Sequence, residues 1–242
     1  MNRSYGIKGF IPISLLDWPG KVCSIVFLAG CGFRCPACHN HNLVLKPDSL
    51  PEISLESVMS RLAGRKHWID GITITGGEPT LNKNLPELLK LIKGKGFQIK
   101  LDTNGSNPGV VSKLIRECLV DSVSMDVKAP LTAAEYSRVA GVAVNIERIQ
   151  ESIRLLKSSG LEVTFRTTVI PGLVEEPQLK RIREVLGDVQ KYTIQGFRNQ
   201  DTLEPSFAEI TEFSADRLDT MRQIFEVPSP DMVRIRRYAA TG

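Results

Sequence analysis

The chain has 242 residues, of which 42% are hydrophobic, and it contains 19 Gly and 14 Pro. This composition is that of an ordinary globular protein, and it excludes intrinsically disordered and collagen-like chains. The formal net charge is only +4, which gives no support for a nucleic-acid partner or for binding to an anionic membrane surface.

No linker-like or repetitive segment marks a domain boundary. We therefore expect a single domain over residues 1–242, with a core at about 20–200 and a C-terminal extension at 200–242. The longest apolar stretch lies near Val22–Phe33 and is well short of the roughly 20 residues that a membrane span needs. Pro12 and Asp17 interrupt any signal-peptide core. These features predict a cytoplasmic protein with no membrane partner.

Strand-like and helix-like segments alternate along the chain. The predicted strands are Val22–Leu28, Ile69–Thr75, Phe97–Thr103, Asp121–Lys128, Val163–Val169, Gln190–Phe197 and a short one at Met232–Arg236. The predicted helices are Leu55–Ala63 with Ser54 as N-cap, Asn84–Lys95, one beginning at Asn107-Pro108, Asn145–Ser159, Glu175–Leu186 and Ala215–Phe225. This alternation is typical of parallel βαβ units.

The predicted strands are polar on one face and apolar on the other. In one of them Gln98, Lys100 and Asp102 alternate with Ile99 and Leu101. An open sheet with helices on both faces should be apolar on both. If the apolar faces pack against the helices, the polar faces meet inside a barrel, or most of one. Charged groups are costly to bury unsatisfied, so this interior is expected to hold water and a polar ligand. An antiparallel sheet with one wet face gives the same alternation, but the intervening helices disfavour it.

Three of the five cysteines fall within Cys31-Gly-Phe-Arg-Cys35-Pro-Ala-Cys38, directly after the first predicted strand. In a reducing compartment this crowding indicates metal ligation rather than disulfides. Two sites fit the spacing: a [4Fe–4S] cluster with one open iron, or a structural zinc site that His41 completes. The spacing alone leaves both open. Cys23, within a strand, and Cys118, on the apolar stripe of a helix, are expected in the core.

The cysteine triplet, followed by Gly76-Gly77-Glu78-Pro79 after the second predicted strand, resembles the signature of the radical S-adenosylmethionine (SAM) superfamily. Other segments resemble the activating enzymes of glycyl radical enzymes, in particular the short activating proteins of anaerobic ribonucleoside-triphosphate reductases. These segments are Asp17-Trp-Pro-Gly20, Cys38-His39-Asn40, Asp102-Thr-Asn-Gly105, Met125-Asp-Val-Lys128 and Thr168-Val-Ile-Pro-Gly172. The similarity covers roughly residues 8–200.

The resemblance implies an α/β fold, a partial (β/α)6 TIM-like barrel of the radical SAM type. It implies a [4Fe–4S] cluster held by Cys31, Cys35 and Cys38, with the amine and carboxylate of SAM chelating the fourth iron. The implied SAM-binding residues are Ala37, Cys38, His39, Gly76, Gly77, Glu78, Asp102, Thr103, Asp126, Val127, Lys128, Arg166 and Gln195.

Four of these residues carry a further expectation. Ala37 stands where the family usually has an aromatic residue beside the adenine, so the adenine is expected to be held mainly by backbone near His39. Glu78 fits a structural role as well as a direct ligand contact. Asp102, together with Thr103, fits contact with a monovalent cation as well as with SAM.

The implied function is that of a radical enzyme. A reduced cluster gives one electron to SAM, and the resulting 5′-deoxyadenosyl radical takes a hydrogen from a glycine of a partner, an anaerobic ribonucleotide reductase. Reduced flavodoxin or ferredoxin is the implied electron donor. Two alternatives stay open: another radical SAM enzyme that acts on a small molecule, like 7-carboxy-7-deazaguanine synthase, and a non-catalytic zinc or electron-transfer module.

Overall fold

The structure is a computed structural model that describes residues 4–226. One seven-stranded sheet forms its centre. The strands are β1 (Ile7–Ser14), β2 (Cys23–Leu28), β3 (Gly71–Gly76), β4 (Gln98–Thr103), β5 (Ser122–Asp126), β6 (Glu162–Val169) and β7 (Lys191–Gly196). They lie side by side in chain order, with β1 and β7 at the edges. β1 runs antiparallel to β2, and every later pair is parallel.

Helices follow the parallel strands. They are α1 (His41–Leu45), α2 (Leu55–Ala63), α3 (Leu85–Gly94), α4 (Pro108–Arg116), α5 (Ala133–Ala140), α6 (Ile146–Lys157), α7 (Glu176–Leu186) and α8 (Ala215–Glu226). The Ser54 hydroxyl caps α2 by accepting the Ser57 N–H at 3.1 Å, as predicted. Among the helices of residues 4–226, none has the length and apolar character that a membrane crossing requires.

The core lies between the helices and the apolar face of the strands. In β4 the side chains of Ile99 and Leu101 are fully buried in it. The alternate residues face the inside of the curved sheet, where Lys100 and Asp102 form an ion pair. The prediction of a partial α/β barrel with a polar interior is therefore confirmed, and so are its six parallel strands.

Strand β1 was not predicted. Its sequence Ile-Lys-Gly-Phe-Ile-Pro-Ile-Ser contains Pro12, and a proline within a run normally argues against a strand because it cannot donate to the ladder. An edge strand tolerates the missing donor, and β1 pairs with only one neighbouring strand, β2. The short helices α1 and α5 were also not predicted.

The prediction that Cys118 belongs to the core is wrong, because Cys118 is exposed. Helix α4 ends at Arg116, so the apolar stripe stops before it reaches Cys118. That residue instead has a left-handed φ of 51°, and its N–H donates to the Ile115 carbonyl at 3.0 Å. The Leu119 N–H donates to the Leu114 carbonyl at 2.9 Å, which completes a Schellman cap.

Cys23 is fully buried, as predicted. The predicted strand Met232–Arg236 lies outside the described residues.

Candidate active site

The three clustered cysteines lie on the loop that follows β2. Their side chains line one cavity of about 370 Å³ at the carboxyl ends of the parallel strands. Backbone hydrogen bonds fix the loop at its start and in its middle. The Gly30 N–H donates to the Leu43 carbonyl at 2.9 Å, and the Arg34 N–H donates to the Ala140 carbonyl at 2.8 Å. Parallel barrels carry their chemistry at this end of the strands.

Two glycines at the end of β3 let the chain pass directly beneath the cysteine loop. A Cβ on Gly77 would lie 2.0 Å from the Gly30 carbonyl oxygen and 3.3 Å from Cys31 Cβ. A Cβ on Gly76 would lie 2.4 Å from the Leu28 carbonyl oxygen. The close approach therefore requires glycine at both positions. The Asn40 side chain also joins the cysteine loop to the end of β3, because it donates to the Gly76 carbonyl at 2.8 Å.

Charged side chains from three strands form the opposite wall. Arg166 on β6 reaches both carboxylates: its Nη1 lies 3.0 Å from Asp102 Oδ2, and its Nη2 lies 2.9 Å from Asp126 Oδ1. Lys128 Nζ lies 3.4 Å from the other oxygen of Asp126. With Lys100, which pairs with Asp102, the network holds three cations and two carboxylates. Its fixed charges therefore sum to a positive value, which favours an anionic group in the cavity.

Within this network the pKa values of Asp126, Lys128 and Arg166 are shifted toward the charged forms. Burial opposes ionisation of Asp126, but Arg166 and Lys128 outweigh it and hold the pKa of Asp126 below its ordinary value. Burial likewise opposes charge on Lys128, whereas the neighbouring Cys35 and Asp126 hold its pKa above the ordinary value. Both groups are therefore ionised at neutral pH.

Burial raises the pKa of the Cys31, Cys35 and Cys38 thiols. At Cys35 the positive charge of Lys128 opposes this rise. Thiolates are the metal-binding form of cysteine, and a bound metal centre supplies the positive charge that stabilises them. Soft thiolate donors are the ligands that iron–sulfur clusters and zinc prefer. The donor set therefore fits the cluster that the family resemblance implies.

His41, the fourth ligand of the zinc alternative, is engaged elsewhere. Its Nε2 lies 2.9 Å from Asp201 Oδ1, and it is not among the residues that line the cavity. Within residues 4–226, no group of three or more His, Cys, Asp or Glu side chains is arranged to hold a single metal ion.

Most of the sequence-predicted cofactor residues come together around this cavity. Those that line it are Ala37, Cys38, His39, Gly76, Gly77, Asp102, Thr103, Asp126, Val127, Lys128, Arg166 and Gln195, together with Cys31 and Cys35. His39 lies at the mouth, where its ring stacks on Phe197 with a centroid distance of 6.4 Å.

Glu78 does not line the cavity. Its side chain is fully buried. The carboxylate accepts hydrogen bonds from the Thr80 N–H at 3.0 Å, the Thr103 hydroxyl at 2.8 Å and the Asn104 N–H at 2.7 Å. Burial raises the pKa of Glu78, and these hydrogen bonds oppose the rise. The geometry is that of a structural tie between the ends of β3 and β4.

The site residues that were missed at the sequence level include two asparagines, Asn40 and Asn104. Both line the cavity, and both belong to segments that carried the family resemblance. The signal was thus present, but an asparagine side chain has no distinctive spacing of its own that would single it out.

A family model for the radical SAM superfamily matches residues 25–184. The chain is 32% identical over 207 residues to a candidate glycyl-radical enzyme activating enzyme of Methanocaldococcus jannaschii, covering 84% of this chain and 85% of that protein. It is 31% identical to the pyruvate formate-lyase-activating enzyme of Streptococcus mutans, over 74% of this chain and 72% of the relative. The corresponding enzyme of Escherichia coli K12 is 26% identical, over 76% of this chain and 77% of that protein.

Solved structures show the same fold. A structure of TYW1 with a lysine-pyruvate adduct bound superposes with a TM-score of 0.60 at 17% identity, over 86% of this chain and 74% of that one. SuiB of Streptococcus suis bound to S-adenosylmethionine superposes with a TM-score of 0.58 at 14% identity, over 81% of this chain and 44% of that one. With three thiols and a charged wall around one cavity, this chain belongs to the radical SAM superfamily and is a radical SAM enzyme related to glycyl-radical enzyme activating enzymes.

Proposed function

We propose that this enzyme forms a glycyl radical on a partner enzyme, and that the partner is an anaerobic ribonucleoside-triphosphate reductase. The observation that carries the activity is the 32% identity to an activating-enzyme relative over 84% of the chain. The cysteine triplet that lines the cavity supports the same activity. The choice of partner is supported by the resemblance of the short segments quoted above.

In this proposal Cys31, Cys35 and Cys38 hold a [4Fe–4S] cluster whose fourth iron is left for SAM. When bound, the cluster and SAM supply a one-electron cleavage of the S–C5′ bond, which gives methionine and a 5′-deoxyadenosyl radical. Reduced flavodoxin or ferredoxin is the proposed source of the electron. The role of the protein is to bind, orient and shield these groups.

The polar wall orients SAM. Lys128 and Arg166 bring positive charge to the cavity, which suits the methionyl carboxylate. Gly76 and Gly77 allow the backbone to approach the methionyl amine. Asp102 and Asp126 are held in place by Arg166 and are proposed to contact SAM directly, whereas Glu78 supports the site from behind.

The hydrogen that is transferred comes from the Cα of a glycine. With the cluster and SAM bound, this hydrogen atom would pass to the 5′ carbon derived from SAM and the unpaired electron would stay on the glycine, so the residues of this chain would not have to supply a general base. His39, Gln195 and Arg198 are exposed at the cavity mouth. This open, polar mouth suits the entry of a peptide loop.

The test is electron paramagnetic resonance (EPR) on the anaerobically reconstituted and reduced protein with SAM and an anaerobic ribonucleoside-triphosphate reductase. A glycine-centred doublet that is absent with the Cys35→Ala variant supports the proposal. A doublet with pyruvate formate-lyase but not with the reductase would overturn the choice of partner. If neither partner gives a doublet while a small molecule is turned over, activation itself is refuted.

A further inference from the structure

Asn104 places a side-chain donor beside the first cysteine of the triplet. It follows directly after β4, is only 6% exposed, and lines the cavity. Its Nδ2 lies 3.7 Å from Cys31 Sγ, which is within hydrogen-bond range for sulfur. Its Oδ1 accepts the Ser106 N–H at 2.9 Å. Because the oxygen is engaged by a backbone donor, the amide NH2 must be the end that faces the sulfur.

The backbone around Asn104 is anchored on both sides. The Asn104 N–H donates to Glu78 Oε2 at 2.7 Å, and Glu78 is fully buried. On the other side, the Ser152 hydroxyl donates to the Gly105 carbonyl at 2.7 Å. The amide is thus presented to Cys31 from a fixed position.

Two backbone donors also reach the sulfur atoms of the triplet. The Phe33 N–H donates to Cys31 Sγ at 3.3 Å, and the Asn40 N–H donates to the Cys38 thiol. Those two donors belong to the backbone of the cysteine loop and would persist in any substitution of a side chain. Asn104 donates from another strand through its side chain, so its contribution can be removed without changing the loop.

We infer that Asn104 is a positioning residue whose amide N–H bonds to the Cys31 thiolate in the loaded enzyme and raises the reduction potential of the cluster. The inference rests on the proposed function, since it requires the cluster. Reduction adds negative charge to the cluster, so a donor at a ligand sulfur stabilises the reduced form more than the oxidised form. Asn104 therefore makes the cluster easier to reduce.

The test is a redox titration of the anaerobically reconstituted protein followed by EPR without SAM. Asn104→Leu keeps the approximate shape and removes the donor. At a fixed solution potential, the ratio of reduced to oxidised cluster should fall by up to about five-fold, the factor that would follow if the whole ordinary net strength of one hydrogen bond were gained on reduction. Asn104→Asp at pH 8 places an acceptor at the same position and should lower the ratio further.

Asn107→Ala is the matched control. Asn107 lies in the same loop, but its Nδ2 donates to Thr80 Oγ1 at 2.9 Å, so the wild-type ratio is expected. An Asn104 variant that carries full iron and sulfide with the wild-type ratio would overturn the inference. Loss of iron from both Asn104 variants, with the control fully loaded, would also overturn it, because Asn104 would then only support the loop. Zinc without sulfide in the wild-type protein would instead refute the proposed function.

Discussion

Gly141 supports the cysteine loop from the side of α5, and Gly141→Ala should disturb that loop. Gly141 ends α5 with a left-handed φ of 68°. A Cβ built on it would lie 2.0 Å from the carbonyl oxygen of Arg34 and 2.6 Å from its carbonyl carbon. Arg34 directly precedes Cys35, so the loop must move when a methyl group is added.

The expected loss of unfolding free energy in Gly141→Ala has two parts. A left-handed conformation costs a non-glycine residue about 1–2 kcal/mol, and overpacking adds about 1–3 kcal/mol. Gly160→Ala is the matched control, because Gly160 has a φ of 72° but no atom within 4 Å of its ideal Cβ. Gly160→Ala should therefore be destabilised only by the left-handed conformation and not by overpacking.

The assay combines urea unfolding of the metal-free protein with iron and sulfide analysis after anaerobic reconstitution. We expect Gly141→Ala to lose about 2–5 kcal/mol of unfolding free energy and to bind less iron. Gly160→Ala should lose about 1–2 kcal/mol and keep its iron. Equal destabilisation of both variants, with equal iron content, would refute the reasoning.

Two further predictions concern stability away from the cavity. Cys118→Gly should stabilise the protein by up to about 1 kcal/mol, since glycine adopts the left-handed cap position without strain; a lower urea midpoint for this variant would contradict it. The bidentate bond from Arg181, with N–O distances of 2.8 and 2.7 Å, holds the pKa of Glu135 below its ordinary value. This stabilisation is present above the unfolded pKa and is lost as the pH falls through the folded pKa. Arg181→Ala should therefore cost about 0.2–1 kcal/mol at pH 7 and nothing in strong acid, which urea unfolding across that pH range measures; a pH-independent difference would contradict it.

The sequence predicted the barrel because alternation within single strands is a local signal. Lys100 and Asp102 alternate with Ile99 and Leu101, and the requirement to bury the apolar pair against helices places the charged pair inside. The same signal did not predict β1, because Pro12 is compatible with a strand only at the edge of a sheet. Which strand lies at the edge is a property of the assembled sheet and cannot be read from one segment.

The site could be predicted only in part, for a similar reason. The cysteine triplet and Gly76-Gly77 are contiguous motifs, so they stand out before the chain is folded. The contact of Gly141 with Arg34 joins residues more than a hundred positions apart, and no hydrophobic periodicity in the sequence predicts it. Cys118 was placed wrongly because the stripe was extended past the end of α4.

The central claim is that the cysteine triplet supports reductive cleavage of SAM in the cavity. The most direct measurement is the yield of 5′-deoxyadenosine from the anaerobically reconstituted, dithionite-reduced protein with SAM, for the wild type and for Cys35→Ala, with circular dichroism as a check on folding. The account predicts 5′-deoxyadenosine from the wild type and none from the folded variant. Undiminished 5′-deoxyadenosine from the folded Cys35→Ala variant would contradict it.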